Sequence, residues 1–398
     1  MLKEDNDLLW HVGKGTPMGT YMRRFWIPAL LSNQLVADGA PQRLKLLGET
    51  FVAFRASDGR VGVFDEGCPH RGVSLTLARN ADCALTCIFH GWKIDVTGKV
   101  LDVPPEPAER RAAFAERVKV KTYPVREHVG IVYVFIGEGE PAAFPDFNWM
   151  DLPASHVACS IGVVRANWLF GLEGQLDSAH VGILHKDWAA RSVEIVGSPS
   201  IMHASKNSTP RFEFEDQPYG YREAALRDMD DGTTLARVRE YVYPWYSYIP
   251  SHGGREATQL VTISVPLDDN HSAQWDVYYN LTRPIDRDNF PVPIGATRDF
   301  THLTIADRYG QDRKANGPWS GYDSVRLEDF AVAMAQHEAS QRDREHLSTS
   351  DRSIVYARRL LRDAVKTMTV PPADTPWKSV RSFAEFLPQG TDWRSIER

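Results

Sequence analysis

Hydrophobic and polar positions follow two styles along this chain. Between residues 43 and 137, short runs rich in β-branched and aromatic residues recur: LKLLGETFVAFRA, VGVFD, TCIFHGWKID, VKVKTYPV and GIVYVFIG. Turn residues such as Asp58-Gly59 and Thr97-Gly98 separate them, which predicts a small all-β domain. The cluster Pro104, Pro105 and Pro107, followed by charged residues, reads as a surface excursion. EGEPAAFPDF at 138–147 has the composition of a domain boundary. From about residue 155 the strand-like runs lengthen: HVACSIGVV, PRFEFE, ARVREYVY, ATQLVTISVPL and SAQWDVYYNLT. The last alternates, placing Trp275, Val277, Tyr279 and Leu281 on one face. A helix-like segment, Leu169–Leu184, interrupts these runs. Two amphipathic helices are predicted at about 322–346 and 351–366, the second capped by Ser350 and Asp351. Residues 1–40 read as a short helical entry followed by an extended segment. The whole is an α+β chain, all-β first and then an antiparallel sheet with packed helices.

Composition narrows the classes. A length of 398 residues suits two or three domains, and 42% apolar with 25% charged residues is ordinary for a globular protein. No apolar run approaches the ~18 residues of a membrane span. The opening MLKEDNDLLW is acidic where a signal peptide is basic, so a cytoplasmic setting is expected. A net charge of -6 gives no general pull toward nucleic acid or anionic membrane. The cysteines are Cys68, Cys83, Cys87 and Cys159; they could make two disulfides, but the pattern around Cys68 and Cys87 reads better as metal ligation, which suits a reducing cytoplasm.

Two of them stand in a pattern. Cys68-Pro69-His70 is followed, after sixteen residues, by Cys87-Ile88-Phe89-His90. Each loop supplies one thiolate and one imidazole, and Gly72 and Gly91 follow closely, where backbone can approach a bound group. A zinc site, a Cys68–Cys87 disulfide, and a [2Fe–2S] centre with two histidines on one iron all compete here. The mixed order of sulfur and nitrogen ligands favours the last. Cys83 lies outside the pattern and reads as a small buried residue.

A second group lies in ANWLFGLEGQLDSAHVGILHKD. On an ideal helix Glu173, Asp177 and His180 share a face, while His185 is rotated off it. For both imidazoles to meet one metal, the helix must bulge or end near Gly182. Two histidines and a carboxylate on one face of iron leave positions open for dioxygen. Ordinary half-buried histidines beside a capping acid would give the same letters.

The stretch CPHRGVSLTLARNADCALTCIFHGWKIDVTG resembles the Rieske motif of Rieske non-heme iron oxygenases. The opening DNDLLWHVGKGTPMGTYMRRFWIPAL, the segment NWLFGLEGQLDSAHVGILH and the closing DREHLSTSDRSIVYARRLL resemble the phthalate dioxygenase branch of that family, so nearly the whole chain is covered. The resemblance implies a Rieske [2Fe–2S] domain at 41–150 and a catalytic mononuclear iron domain at 151–398. It further implies a 1–40 segment packed on the catalytic domain, and a helix-grip, START-like sheet surrounded by helices. It implies that Cys68 and Cys87 hold one iron of the cluster while His70 and His90 hold the other. The family's Asp-x2-His-x4-His matches Asp177, His180 and His185: the histidines bind the mononuclear Fe(II), and Asp177 bridges His180 to His90 of a neighbouring copy. The third iron ligand falls on Asp329 in SVRLEDFAVAMAQ, with Glu328 and Asp323 as rivals. The resemblance leads to an expectation of Gln-Asp at this place, where this chain has Glu328-Asp329.

The same resemblance implies a terminal oxygenase that uses O2 and electrons drawn from NAD(P)H through a flavin and iron–sulfur reductase. It implies a head-to-tail homotrimer or stacked trimers, with cis-dihydroxylation of an aromatic carboxylate. O-demethylation or ether cleavage of an aromatic acid is the alternative chemistry, and a Rieske electron carrier or a zinc protein the alternative classes. An anionic substrate needs a cation, for which Arg211 and Arg239, with Arg237 on the same strand face, are candidates; salt bridges to Glu213, Glu215 or Glu240 would explain them equally. Trp245, Tyr246 and Tyr248 could line an aromatic pocket or a core.

Overall fold

The structure, a computed structural model, describes residues 2–191, 198–253, 256–288, 290 and 293–396. The chain divides into two compact units: Arg23–Phe144, and Met1–Met22 together with Pro145–Arg398.

The smaller unit is built from short antiparallel strands. Gln42–Leu46, Glu49–Arg55 and Val61–Asp65 form one sheet; Arg79–Ala81, Ala84–Thr86, Lys93–Asp95 and Val100–Asp102 form another. Val52, Phe54, Phe64, Leu75, Leu85 and Ile94 make the core between them. Ile27–Leu31 pairs with Ile131–Val134, so part of the 1–40 segment belongs to this unit and the division falls after Met22, not near residue 40. The cause is local: Ile27, Leu30 and Leu31 are almost fully buried against that strand. The charged stretch after the prolines forms the helix Ala108–Arg117, and its Phe114 packs edge-on against Trp92 at 5.8 Å.

The larger unit is organised by a nine-stranded sheet of the described residues. Its order is Arg211–Gln217, Gly220–Asp228, Thr233–Val242, Tyr246–Ile249, Gln259–Pro266, Ser272–Tyr279, Val157–Val164 and Thr297–Asp299, with Phe383–Pro388 added on Thr233–Val242. All pairs are antiparallel except Val157–Val164 with Thr297–Asp299. Alternation along Ser272–Tyr279 suggested one buried face, but every residue of that strand is buried. Helix residues reach the polar face: Gln175 bonds Gln274, and Arg326 pairs with Asp276 at 2.8 Å. Gln274 donates to Ser264 Oγ and Ser272 Oγ and accepts from Gln175 Nε2.

The Leu169–Leu184 segment is two helices, Trp168–Leu176 and Val181–Leu184. The predicted 322–346 helix is Val325–Ala335; Gln336 turns extended, and a 3₁₀ turn, Ala339–Arg344, carries the pattern on. The last helix is Arg352–Thr367; Asp351 is at its N-cap without a side-chain bond, and Ser348 caps the preceding turn. No helix among the described residues is long and apolar enough to cross a membrane.

Candidate functional site

In the smaller unit the two Cys/His loops are built alike. Gly72 N–H donates to Cys68 O at 2.8 Å and Cys68 N–H to Val73 O at 2.8 Å. Gly91 N–H donates to Cys87 O at 2.9 Å and Cys87 N–H to Trp92 O at 2.9 Å. Both turns pass through positive φ at their glycines, a conformation that glycine adopts without Cβ strain. The loops bring Cys68 and Cys87, both buried and free, beside each other, and set the His70 and His90 rings 4.6 Å apart. No disulfide joins the cysteines. His70 stacks on Trp92 at 4.9 Å, which fixes its plane.

Burial pushes the Cys68 thiol up to about 11, so a thiolate there needs a cation beside it. His90 Nδ1 is buried without a hydrogen-bond partner, a nitrogen left for a metal. The four ligand atoms do not close around a single ion position as zinc would require; among the described residues only one other trio does. Thiol pair, imidazole pair and open spacing fit a two-iron cluster.

That trio is His180, His185 and Asp329. His180 Nε2 is 3.2 Å from His185 Nε2, and Asp329 Oδ1 is 3.6 Å and 3.3 Å from those nitrogens. Two imidazole nitrogens and a carboxylate oxygen converging this closely can hold a cation. The break that permits it lies at 177–180, earlier than Gly182. Asp177 is the C-cap of the first helix, and its Oδ1 accepts from Ala179 N–H at 2.7 Å and His180 N–H at 3.4 Å. Gly182 serves otherwise: a Cβ there would sit 2.6 Å from the Ala204 backbone, so the residue permits close helix packing.

Outer carboxylates hold both imidazoles. Asp177 Oδ2 is 3.4 Å from His180 Nδ1. Glu328 Oε2 accepts from His185 Nδ1 at 2.6 Å while its Oε1 accepts from Ser320 Oγ. Each ring thereby donates from Nδ1 and presents Nε2 to the shared point. Burial opposes charge on His185, yet Asp329 and Glu328 outweigh it and raise the imidazole to about 9. A divalent cation would take the place of that proton. Glu328, a rival for the metal in the sequence, is therefore a partner of His185, and Asp323 is not part of the trio. Asp329 Oδ2 turns toward Arg326 at 3.8 Å, and Arg326 pairs with Asp276 at 2.8 Å.

Glu173 is not part of the trio. It is buried between Arg342 and Arg358, with Glu345 completing the network. Against its burial, those guanidinium groups hold its carboxyl below the usual range. The network ties the Trp168–Leu176 helix to the Arg352–Thr367 helix.

A cavity of about 340 Å³ opens beside the trio, lined by His180, Asp329, Asp177, Phe170, Phe330 and Leu184 among others. Arg211 and Arg239 do not line it. Arg211 is 56% exposed and pairs with Glu213 at 3.3 Å. Arg239 is buried, opposite Glu223 on the neighbouring strand at 3.8 Å; Glu240 instead pairs with Arg222 on the other face. Arg227, Arg237 and Arg239 share one buried sheet face with Glu223. Burial and its two arginine neighbours push Arg237 well below the usual guanidinium range. Trp245, Tyr246 and Tyr248 are core residues; the two tyrosines pack against Phe147 at 5.2 Å and 5.9 Å.

Comparison with known proteins covers the chain from end to end. Residues 25–124 match the family described as Rieske [2Fe-2S] domain, and residues 134–398 match LigXa C-terminal domain like. The chain is 33% identical to the phthalate 4,5-dioxygenase oxygenase subunit of Pseudomonas putida, over 99% of this chain and 94% of that protein. It is 31% identical to the 3-chlorobenzoate-3,4-dioxygenase oxygenase subunit of Comamonas testosteroni, over 99% and 97%. In fold it matches the terminal oxygenase of carbazole 1,9a-dioxygenase from Novosphingobium sp. KA1, with a TM-score of 0.61 over 92% of this chain and 96% of that one at 20% identity.

Proposed function

This chain belongs to the Rieske non-heme iron oxygenases as a terminal oxygenase component, and on that premise we propose that it cis-dihydroxylates an aromatic carboxylate of the phthalate type. Oxygenases of this family hold a Rieske [2Fe–2S] cluster and a catalytic mononuclear iron and receive their electrons from a redox partner. The observation that carries the proposal is the convergence of His180, His185 and Asp329 beside a cavity. Bound iron would supply dioxygen binding and reduction there.

The chain's own residues do the rest. Cys68, His70, Cys87 and His90 hold the cluster, and His180, His185 and Asp329 hold the iron. Asp177 holds the His180 ring by its Nδ1 and keeps part of its carboxylate, 21% exposed, facing outward. That open side suits a bond from His90 of a neighbouring copy, and through it an electron path between subunits. Ile88 and Phe89, 65% and 51% exposed beside His90, and Val332 and Leu347, exposed at the cavity, are apolar surface that assembly would cover. A head-to-tail homotrimer closes such a heterologous contact.

The anionic character of the substrate rests on the chain's similarity to oxygenase subunits named for phthalate and 3-chlorobenzoate. The guanidinium groups at the cavity itself are those of Arg326 and Arg358; Arg211, exposed and paired, and Arg239, bonded to Leu176 O, lie outside it.

Supplied with a surrogate reductase, NADH and oxygen, the protein is expected to convert phthalate- or benzoate-type acids into products heavier by two oxygens and two hydrogens. Loss of CH2 from methoxylated acids would make O-demethylation the reaction. Turnover of neutral aromatics in preference to acids would remove the anion from the proposal.

A further inference from the structure

The iron site exists only because a helix stops for four residues and starts again. Trp168–Leu176 ends, Asp177 to His180 form a turn, and Val181–Leu184 resumes. Were the helix continuous, Leu176 C=O would accept from His180 N–H, and Ser178 C=O from Gly182 N–H. His185 would then point away from His180.

Both carbonyls are occupied from behind. Arg239 Nη1 donates to Leu176 O. Arg227 Nη2 donates to Ser178 O at 2.6 Å, and Arg227 Nε to Asn207 O at 2.8 Å. The two arginines come from paired strands, Gly220–Asp228 and Thr233–Val242, and are 1% and 2% exposed. Their donors bracket Asp177, while its carboxylate takes the His180 N–H that a helix would have used. Burying guanidinium groups is costly, and hydrogen bonds from a charged donor to a carbonyl are among the strong ones that offset the cost.

We propose that Arg227 and Arg239 are positioning residues for the mononuclear metal site: by holding the carbonyls of Leu176 and Ser178 they enforce the helix break that turns His180 and His185 onto one metal. The inference rests on the proposed ligand role of His180, His185 and Asp329. Neither arginine touches the metal; they act through the backbone on either side of Asp177. A lysine at either position keeps the charge but offers a compact donor in place of the planar fork.

The test is a cobalt(II) titration of protein stripped of its mononuclear iron with the cluster retained. The wild type should bind one cobalt at the site; if it does not, the ligand assignment itself fails, a result distinct from failure of this inference. Arg227→Gln and Arg239→Gln are each expected to weaken cobalt binding by about 10- to 100-fold, the range for residues that orient metal ligands. The visible spectrum of the cluster should not change. Arg227→Lys and Arg239→Lys are expected to fall between wild type and the glutamine variants. Wild-type cobalt affinity in any folded glutamine variant overturns the proposal. Where a glutamine variant does not fold, the lysine variant decides: weaker binding supports the proposal and wild-type binding overturns it.

Discussion

Asp177→Asn is expected to keep about three irons per chain, two in the cluster and one beyond it, and to lose reductase-driven turnover by about 100-fold or more. The substitution preserves shape and the bonds from Ala179 N–H and His180 N–H, which one oxygen accepts. It replaces the second oxygen, 3.4 Å from His180 Nδ1, with an amide that cannot accept from two imidazoles at once. Burial works against the charge of Asp177, but His180 and the turn's own N–H groups outweigh it and hold the carboxyl below its usual range. The carboxylate is thus charged throughout the neutral range, and the asparagine variant loses that charge. Iron content and steady-state turnover measured on the same preparation check the expectation. Normal turnover would remove Asp177 from the electron path, and loss of iron would make its role one of ligand support.

Glu328→Leu is expected to lose the mononuclear iron on dialysis, with affinity down about 10- to 100-fold, while the cluster spectrum stays. Glu328 is fully buried, and its two oxygens accept from His185 and from Ser320. Leucine leaves the His185 N–H unpaired inside the protein, at about 1–3 kcal/mol. It also frees the ring to turn and to present the wrong nitrogen. Glu328→Gln keeps an acceptor oxygen toward His185, and Ser320 can accept from the amide, so this variant should hold iron better than the leucine one. Equal iron retention in wild type and Glu328→Leu would show that His185 is held by packing alone.

What could be read from the chain alone was largely local. The two Cys/His loops each carry their ligands, their glycine and their turn within five residues, so the letters suffice. The five-residue offset between His180 and His185 showed that the helix must break. It misplaced the break at Gly182, because the donors that hold it come from Arg227 and Arg239, 49 and 63 residues on from the carbonyls they hold. Glu328 was visible only as a rival ligand. The signal was there, an acid beside Asp329 on an apolar helix, but its partner His185 lies 143 residues away. Alternation along Ser272–Tyr279 gives no sign that both faces are buried, because the residues covering the polar face, Gln175 and Arg326, come from distant helices. Arg239 and Arg237 share the expected strand face, yet only the fold shows that this face is buried with Arg227 and Glu223.

The most direct test of two separate iron sites in one chain is iron analysis joined to paramagnetic resonance after dithionite. The expected result is about three irons per chain and the rhombic signal of an imidazole-ligated [2Fe–2S] centre, with Asp329→Ala falling to about two irons and keeping that signal. A colourless protein, or an Asp329→Ala variant with its iron count unchanged, would contradict it.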